Sequence, residues 1–325
     1  MTTPPLLIVG HGTRSAAGVA EFTRFVARAG ARARGRIPAV DGGFIELARP
    51  SVADAVTRLI PDGGRPIVAV PLVLTAAGHG KGDIPAALAR ELARHPGLSY
   101  RYGRPLGPHP VLQDLVAARV DAALAGAGRQ DTCVVLAGRG STDPDANAEV
   151  AKVARLLWEG RGYAGVEYSF ISLAEPSVPA ALDRARRLGA RRIVVAPYFL
   201  FSGVLPDRVA AQSREFAATQ RTLDVRVAGL IGGCAELAGL VLDRYDEALQ
   251  GDIRMNCDTC AYRVALPGFA DKVGRPQVPH FHPDEAGDPT AGNRRAVDHH
   301  AGALHTVETE PDHHHHEHAA HEVLS

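Results

Sequence analysis

Leu6-Leu7-Ile8-Val9-Gly10-His11-Gly12-Thr13-Arg14 decides the reading of this 325-residue chain. Four apolar residues in a row read as a strand buried on both faces, as in a parallel sheet. The run ends in a histidine held between two glycines. Ligands of open α/β sheets bind just beyond the carboxyl ends of the strands, so His11 stands where such a fold places its chemistry. Two later stretches repeat the design. Val40-Asp41-Gly42-Gly43-Phe44-Ile45-Glu46 carries a second strand into a carboxylate, and Ile67-Val68-Ala69-Val70-Pro71-Leu72-Val73-Leu74 carries a third toward His79. Three parallel neighbours would bring two imidazoles and one carboxylate to one sheet edge. That set suits a divalent transition metal.

Around these strands the chain alternates strand and helix. Strands are expected near 6–10, 39–46, 66–73 and 98–102, and helices near 16–34, after Ser51, over 83–93 and over 111–125. Val19, Phe22, Phe25, Val26 and Ala29 give the first helix its apolar stripe, while Pro50-Ser51 and Pro85 suit helix starts. Gly126-Ala127-Gly128-Arg129-Gln130 reads as a linker, after which the pattern begins again. Val134-Val135-Leu136-Ala137-Gly138-Arg139-Gly140 echoes the opening strand and loop. Phe170-Ile171-Ser172-Leu173-Ala174-Glu175-Pro176-Ser177-Val178 echoes 44–52 almost residue for residue, and 193–199 echoes 67–73. The chain is an internal duplication of one α/β unit, each copy βαβαβαβα around a parallel sheet covered on both faces. The expected divisions are 1–126, 131–250 and a terminal segment, 251–325.

The duplication supplies its own control. His11 faces Arg139, Glu46 faces Ser172, and His79 faces Val204. All three candidate ligands are absent from the second copy, although its apolar frame is kept. Residues lost together point to residues that work together. The second copy then supplies structure, a lid or substrate contacts, with Arg139 and Arg208 suited to an anionic substrate.

Thirty-six basic residues balance thirty-six acidic ones, which argues against a nucleic-acid binder working by phosphate neutralisation. No apolar run approaches a membrane span, the first residues carry no basic leader, and four cysteines make no disulfide framework. A soluble cytoplasmic protein is expected. Gly10-His11-Gly12 lacks both phosphate-loop patterns. Cys133 and Cys234 read as core or incidental. Cys257-x-x-Cys260 reads as a redox pair, half a zinc site, or two ligands of an iron–sulfur cluster, with a homodimer supplying the missing ligands. Eleven of the fifteen histidines lie after residue 279. That stretch is too poor in large apolar residues to fold alone, and it reads as a flexible metal-buffering tail.

At His11-Gly12-Thr13-Arg14, Phe44-Ile45-Glu46 with Pro50-Ser51, and Pro71-Leu72 with Gly78-His79 and Asp83-Ile84-Pro85, the chain resembles the class II chelatases. Met255-x-Cys257-x-x-Cys260 and the His-rich tail resemble the long, duplicated sirohydrochlorin chelatases among them. The resemblance implies two duplicated chelatase-like α/β domains and ATP-independent insertion of a divalent metal into sirohydrochlorin. It implies a metal site at His11, Glu46 and His79, with His11 and His79 catalytic, and an iron–sulfur cluster at Cys257 and Cys260. Cobalt, in cobalamin biosynthesis, is the family's usual metal; iron and nickel are the alternatives. Arg14, Lys81, Arg139 and Arg208 are the candidates to hold the tetrapyrrole carboxylates. The rival reading is a non-catalytic metal-storage protein or metallochaperone, argued from the tail.

Overall fold

The computed structural model describes residues 3–61, 64–220, 222–251 and 270–275. The first repeat contains β1 (Leu6–Gly10), α1 (Ala16–Ala33), β2 (Val40–Phe44), α2 (Val52–Leu59) and β3 (Pro66–Pro71). A π-helical turn, His79–Asp83, then leads into α3 (Ile84–Arg94), β4 (Ser99–Tyr102) and α4 (Pro110–Leu124). The second repeat contains β5 (Thr132–Gly138), α5 (Pro144–Trp158), β6 (Gly165–Phe170), α6 (Val178–Arg187), β7 (Arg192–Pro197), α7 (Val204–Thr219), β8 (Asp224–Val227) and α8 (Ala235–Gln250). The sheets run β2-β1-β3-β4 and β6-β5-β7-β8, with every described pair parallel. Strand order therefore reverses between β1 and β3, the switch point at which such sheets open a ligand crevice.

Local chemistry explains the element boundaries. Ser15 caps α1 by accepting from Gly18 N, and Ser51 and Asp54 form a reciprocal capping box at α2. The second strand stops at Phe44, two residues short of the expected end. There Phe44 N donates to Pro50 O, and the chain turns through Leu47 at φ 61°. The glycine-rich stretch His79–Asp83 forms a π-helical turn, with Lys81 N donating to Ala77 O at 2.9 Å.

The outer sheet faces are covered locally. Leu7, Val9, Ile67 and Ala69 pack under α2 and α3, while Val135, Ala137, Ile193 and Val195 pack under α6 and α7. The inner faces share one core containing Leu6, Ile8, Val68, Val70, Val134, Leu136 and Val194. Here the repeats exchange their last helices. α8 packs on β3 and β4 beside α1, and α4 packs on β7 and β8 beside α5.

Matching arginines latch the exchange from both sides. Arg119 on α4 donates to Leu230 O and Ile231 O, both at 2.9 Å. Arg244 on α8, 2% exposed, donates to Pro105 O at 3.1 Å and Leu106 O at 2.7 Å. At the helix ends, Arg226 reaches the carbonyls of Ala123 and Leu124, and Arg101 those of Ala248 and Leu249. Cations there satisfy carbonyls that a helix terminus leaves open. No helix among the described residues is long and apolar enough to cross a membrane.

Candidate metal centre

β1 is apolar and fully buried, so its carboxyl end is held firmly, and His11 is the next residue. The backbone closes around it. Ile45 N donates to Gly10 O and Glu46 N to His11 O, which carries the β1–β2 pairing one step past the strands and brings Glu46 beside the imidazole. Gly12 makes this approach feasible. Its φ is +115°, and a Cβ on it would stand 1.8 Å from Glu46 O. Leu47, the next residue after Glu46, is held in the left-handed region, a strain of order 1–3 kcal/mol that such sites characteristically store.

His11 Nε2 lies 2.8 Å from Glu46 Oε1; their side chains are 24% and 3% exposed. The other ring nitrogen, Nδ1, is 3.2 Å from Gly12 O. When Nδ1 donates there, Nε2 turns its lone pair toward the carboxylate. Two acceptors at that separation need a proton or a cation between them, and the nearly dry carboxylate strengthens the need. The pair is thus chemically fit to take up a proton or to hold a divalent cation through one nitrogen and one oxygen.

The third expected ligand is His79. Its backbone opens the π-helical turn beyond β3, on the far side of the switch point from His11; its side chain lies outside the described residues. Among the described residues, no three His, Cys, Asp or Glu side chains gather into a metal cluster. Cys257, Cys260 and the eleven histidines after residue 279 also lie outside the described residues.

The basic candidates separate. Arg139, the counterpart of His11, reaches solvent at the mouth. Surrounding protein strips water from its guanidinium and lowers its pKa, while the Glu46 carboxylate opposes that shift. The mouth is therefore shared: a residue of the second repeat feels the carboxylate of the first. Arg14 and Arg208 are exposed. Lys81 is not disposed toward a substrate. Its side chain is 8% exposed, and its Nζ contacts Asp143 Oδ2 at 2.7 Å and Asp145 Oδ2 at 3.0 Å. Burial works against the ammonium, but the two carboxylates outweigh it and its pKa rises. The resemblance made Lys81 a candidate for the substrate carboxylates; its partners are instead carboxylates of this chain, 62 and 64 residues away.

The remaining described histidines and cysteines have structural positions. His109 Nδ1 caps α4 by accepting from Val111 N, and His95 Nε2 sits 3.6 Å from Glu91 Oε2. Burial pushes the Cys133 thiol up to about 12, which makes it inert at neutral pH. Cys234 caps α8.

Sequence reading missed the groups that join the two mouths. Glu149 Oε2 accepts from Ala76 N at 2.8 Å, and Glu21 accepts from Ser202 N and Oγ, both at 2.8 Å. The available signal was a glutamate at the same place in the first helix of each repeat.

Comparison with known proteins places this geometry in context. The CbiX family model matches residues 5–123 and 133–248. The sirohydrochlorin cobaltochelatase of Priestia megaterium is 33% identical over 268 residues, 82% of this chain and 87% of that one. The sirohydrochlorin ferrochelatase of Priestia megaterium is 29% identical over 213 residues, 65% of this chain and 79% of that one. Among solved structures, SirB from Bacillus subtilis with Fe3+ superposes with a TM-score of 0.67 at 28% identity, covering 77% of this chain and 98% of that chain.

Proposed function

Because the chain belongs to the CbiX family, whose model spans both of its repeats, we propose that it is a sirohydrochlorin chelatase that inserts a divalent metal without ATP, with Co2+ as its metal. The observation that carries this reading is the His11–Glu46 pair, 2.8 Å apart at the carboxyl end of the central strand. Cobalt is favoured because the cobaltochelatase relative aligns over 82% of the chain and the ferrochelatase relative over 65%.

The reaction replaces two pyrrole protons of the macrocycle with M2+. His11 Nε2 and Glu46 offer one neutral and one anionic donor to the incoming ion, and His79 is the third ligand in this proposal. As the metal passes to the macrocycle, the freed imidazole and carboxylate are positioned to accept the departing protons. Arg139, Arg14 and Arg208 hold substrate carboxylates by guanidinium pairing. Leu173 and Val204, 63% and 61% exposed at the carboxyl edge of the second sheet, give the apolar ring a surface to lie against. Lys81 is withdrawn from the substrate-binding set by its burial against two aspartates.

The test mixes apo-protein with sirohydrochlorin and Co2+ and follows the absorption spectrum. Rapid conversion to the metallated spectrum supports the proposal. An unchanged macrocycle with tight Co2+ binding favours the storage or chaperone reading, for which the histidine-rich C-terminal sequence argues. Competition among Co2+, Fe2+ and Ni2+ at equal free concentration then assigns the metal.

A further inference from the structure

The loop after β3 carries His79, yet its polar anchors come from the other repeat. Ala76 N donates to Glu149 Oε2 at 2.8 Å, and Lys81 Nζ enters the first turns of α5 to meet Asp143 and Asp145. These contacts flank His79 on both sides in sequence. All three carboxylates are buried, and Asp143 and Asp145 retain only 5% and 1% side-chain exposure. The buried Lys81–Asp143–Asp145 charges hold one geometry, because any displacement leaves a charge without water or partner.

The duplication shows which part of this arrangement is general. Glu21, on the first helix of the first repeat, grips Ser202 N in the loop after β7; Glu149, on the first helix of the second repeat, grips Ala76 N in the loop after β3. The reciprocal carboxylate grip is present in both copies, although His11 and Glu46 have no counterparts in the second. The Lys81 bridge is present on one side only. Pro206 and Ser15 occupy the places corresponding to Lys81 and Asp143, and Ser15 caps α1. The loop facing the candidate metal centre therefore carries an anchor that its duplicate lacks.

We propose that Glu149, Asp143 and Asp145 of the second repeat are positioning residues that clamp the loop of Ala76 and Lys81, and so fix His79 for metal capture. This rests on the chelatase reading of His79. It gives the second repeat a defined task in the reaction: holding a ligand that belongs to the first.

The test uses the full-length chain. Glu149→Ala removes the acceptor, and Glu149→Gln retains one without its charge. Hydrogen exchange is followed over residues 72–83, and metal insertion across a Co2+ titration, with Co2+ affinity measured separately by calorimetry. Glu149→Ala is expected to speed exchange over 72–83 about tenfold and raise the KM and Kd for Co2+ about tenfold, with kcat within about threefold, in line with loss of groups that orient metal ligands. Glu149→Gln should restore most of both. Glu21→Ala should loosen 198–204 and leave Co2+ affinity unchanged. If Glu149→Ala does not fold, Asp143→Asn carries the same readouts, because asparagine still caps α5 while Lys81 loses one of its two charges. Unchanged exchange over 72–83, or faster exchange with unchanged Co2+ affinity, overturns the proposal. A wild-type chain inert toward sirohydrochlorin defeats the functional reading alone, and exchange with Co2+ affinity still decides this one.

Discussion

The two repeats end their central strands on nearly the same backbone and on different chemistry. Gly12 and Gly140 both take positive φ, and a Cβ on either would strike a carbonyl, Glu46 O at 1.8 Å or Ser172 O at 1.7 Å. Leu47 and Leu173 both stand in the left-handed region, at 61° and 63°. Glu46 N donates to His11 O, and Ser172 N to Arg139 O. Yet one mouth holds an imidazole and a carboxylate, and the other a guanidinium and a hydroxyl. The strained frame belongs to the fold, since it survives where the metal-binding side chains are gone. The side chains set on it determine what each mouth can bind.

The sharpest way to break this contrast is His11→Ala. Loss of a ligand and proton acceptor should lower the insertion rate by about 10³-fold, within the usual range for such groups, while circular dichroism and melting stay near wild type. Near-normal turnover in a folded variant would remove His11 from the mechanism. His79→Ala should behave alike.

The shared frame predicts a symmetric stability effect. Gly12→Ala and Gly140→Ala each force a Cβ into a carbonyl at positive φ, and each should cost at least about 2 kcal/mol in urea unfolding. A cost at only one of them would show that the frames are not equivalent.

A third prediction concerns pH. Burial pushes Glu149 up to about 7 from an ordinary 4.5; Asp145 and Asp143 add to this, while the Ala76 N–H and Lys81 oppose it, and buried Tyr198 faces the same carboxyl. Between those values the folded chain keeps a proton that the unfolded chain releases. Stability should therefore fall as pH rises from about 4.5 to about 7, by an amount on the order of 1–3 kcal/mol. Glu149→Gln should flatten that part of the profile. Parallel profiles for the two proteins would mean that Glu149 does not titrate there.

Smaller effects probe the second mouth. Arg139→Ala should raise the KM for sirohydrochlorin about tenfold, or about 1.4 kcal/mol, and should not weaken Co2+ binding. Equal macrocycle affinity would deny Arg139 that contact. Val204→His should create no second Co2+ site, because Arg139 and Ser172 still offer no ligand beside it. A gain in Co2+ sites by calorimetry would contradict that.

Much of this was legible in the sequence because apolar runs and their spacing are local signals. The eight strands, their parallel character, the repeat and the His11–Glu46 edge all follow from such signals. The exchange of α4 and α8 does not. Each helix presents an apolar stripe, and two near-identical sheets are equally good partners for it, so periodicity cannot choose between them. Lys81 was misplaced for a related reason: its partners lie in the other repeat, and a lysine between glycines looks the same whether it meets water or two buried aspartates. Arg139 was picked out by its position in the duplicate, but its electrostatic contact with Glu46 exists only once the two mouths face each other.

The exchanged helices also set an order of events during synthesis. The first sheet is complete at Tyr102, but α8, which covers part of its inner face, begins only at Ala235. At about 5–20 residues per second the ribosome takes on the order of 10 s to cross that interval. Throughout it, apolar residues of β3 such as Val68 and Val70 lack their final cover. The nascent first repeat is therefore a sticky, unfinished object that depends on the last helix of its twin, and chaperone demand should peak before that helix leaves the exit tunnel.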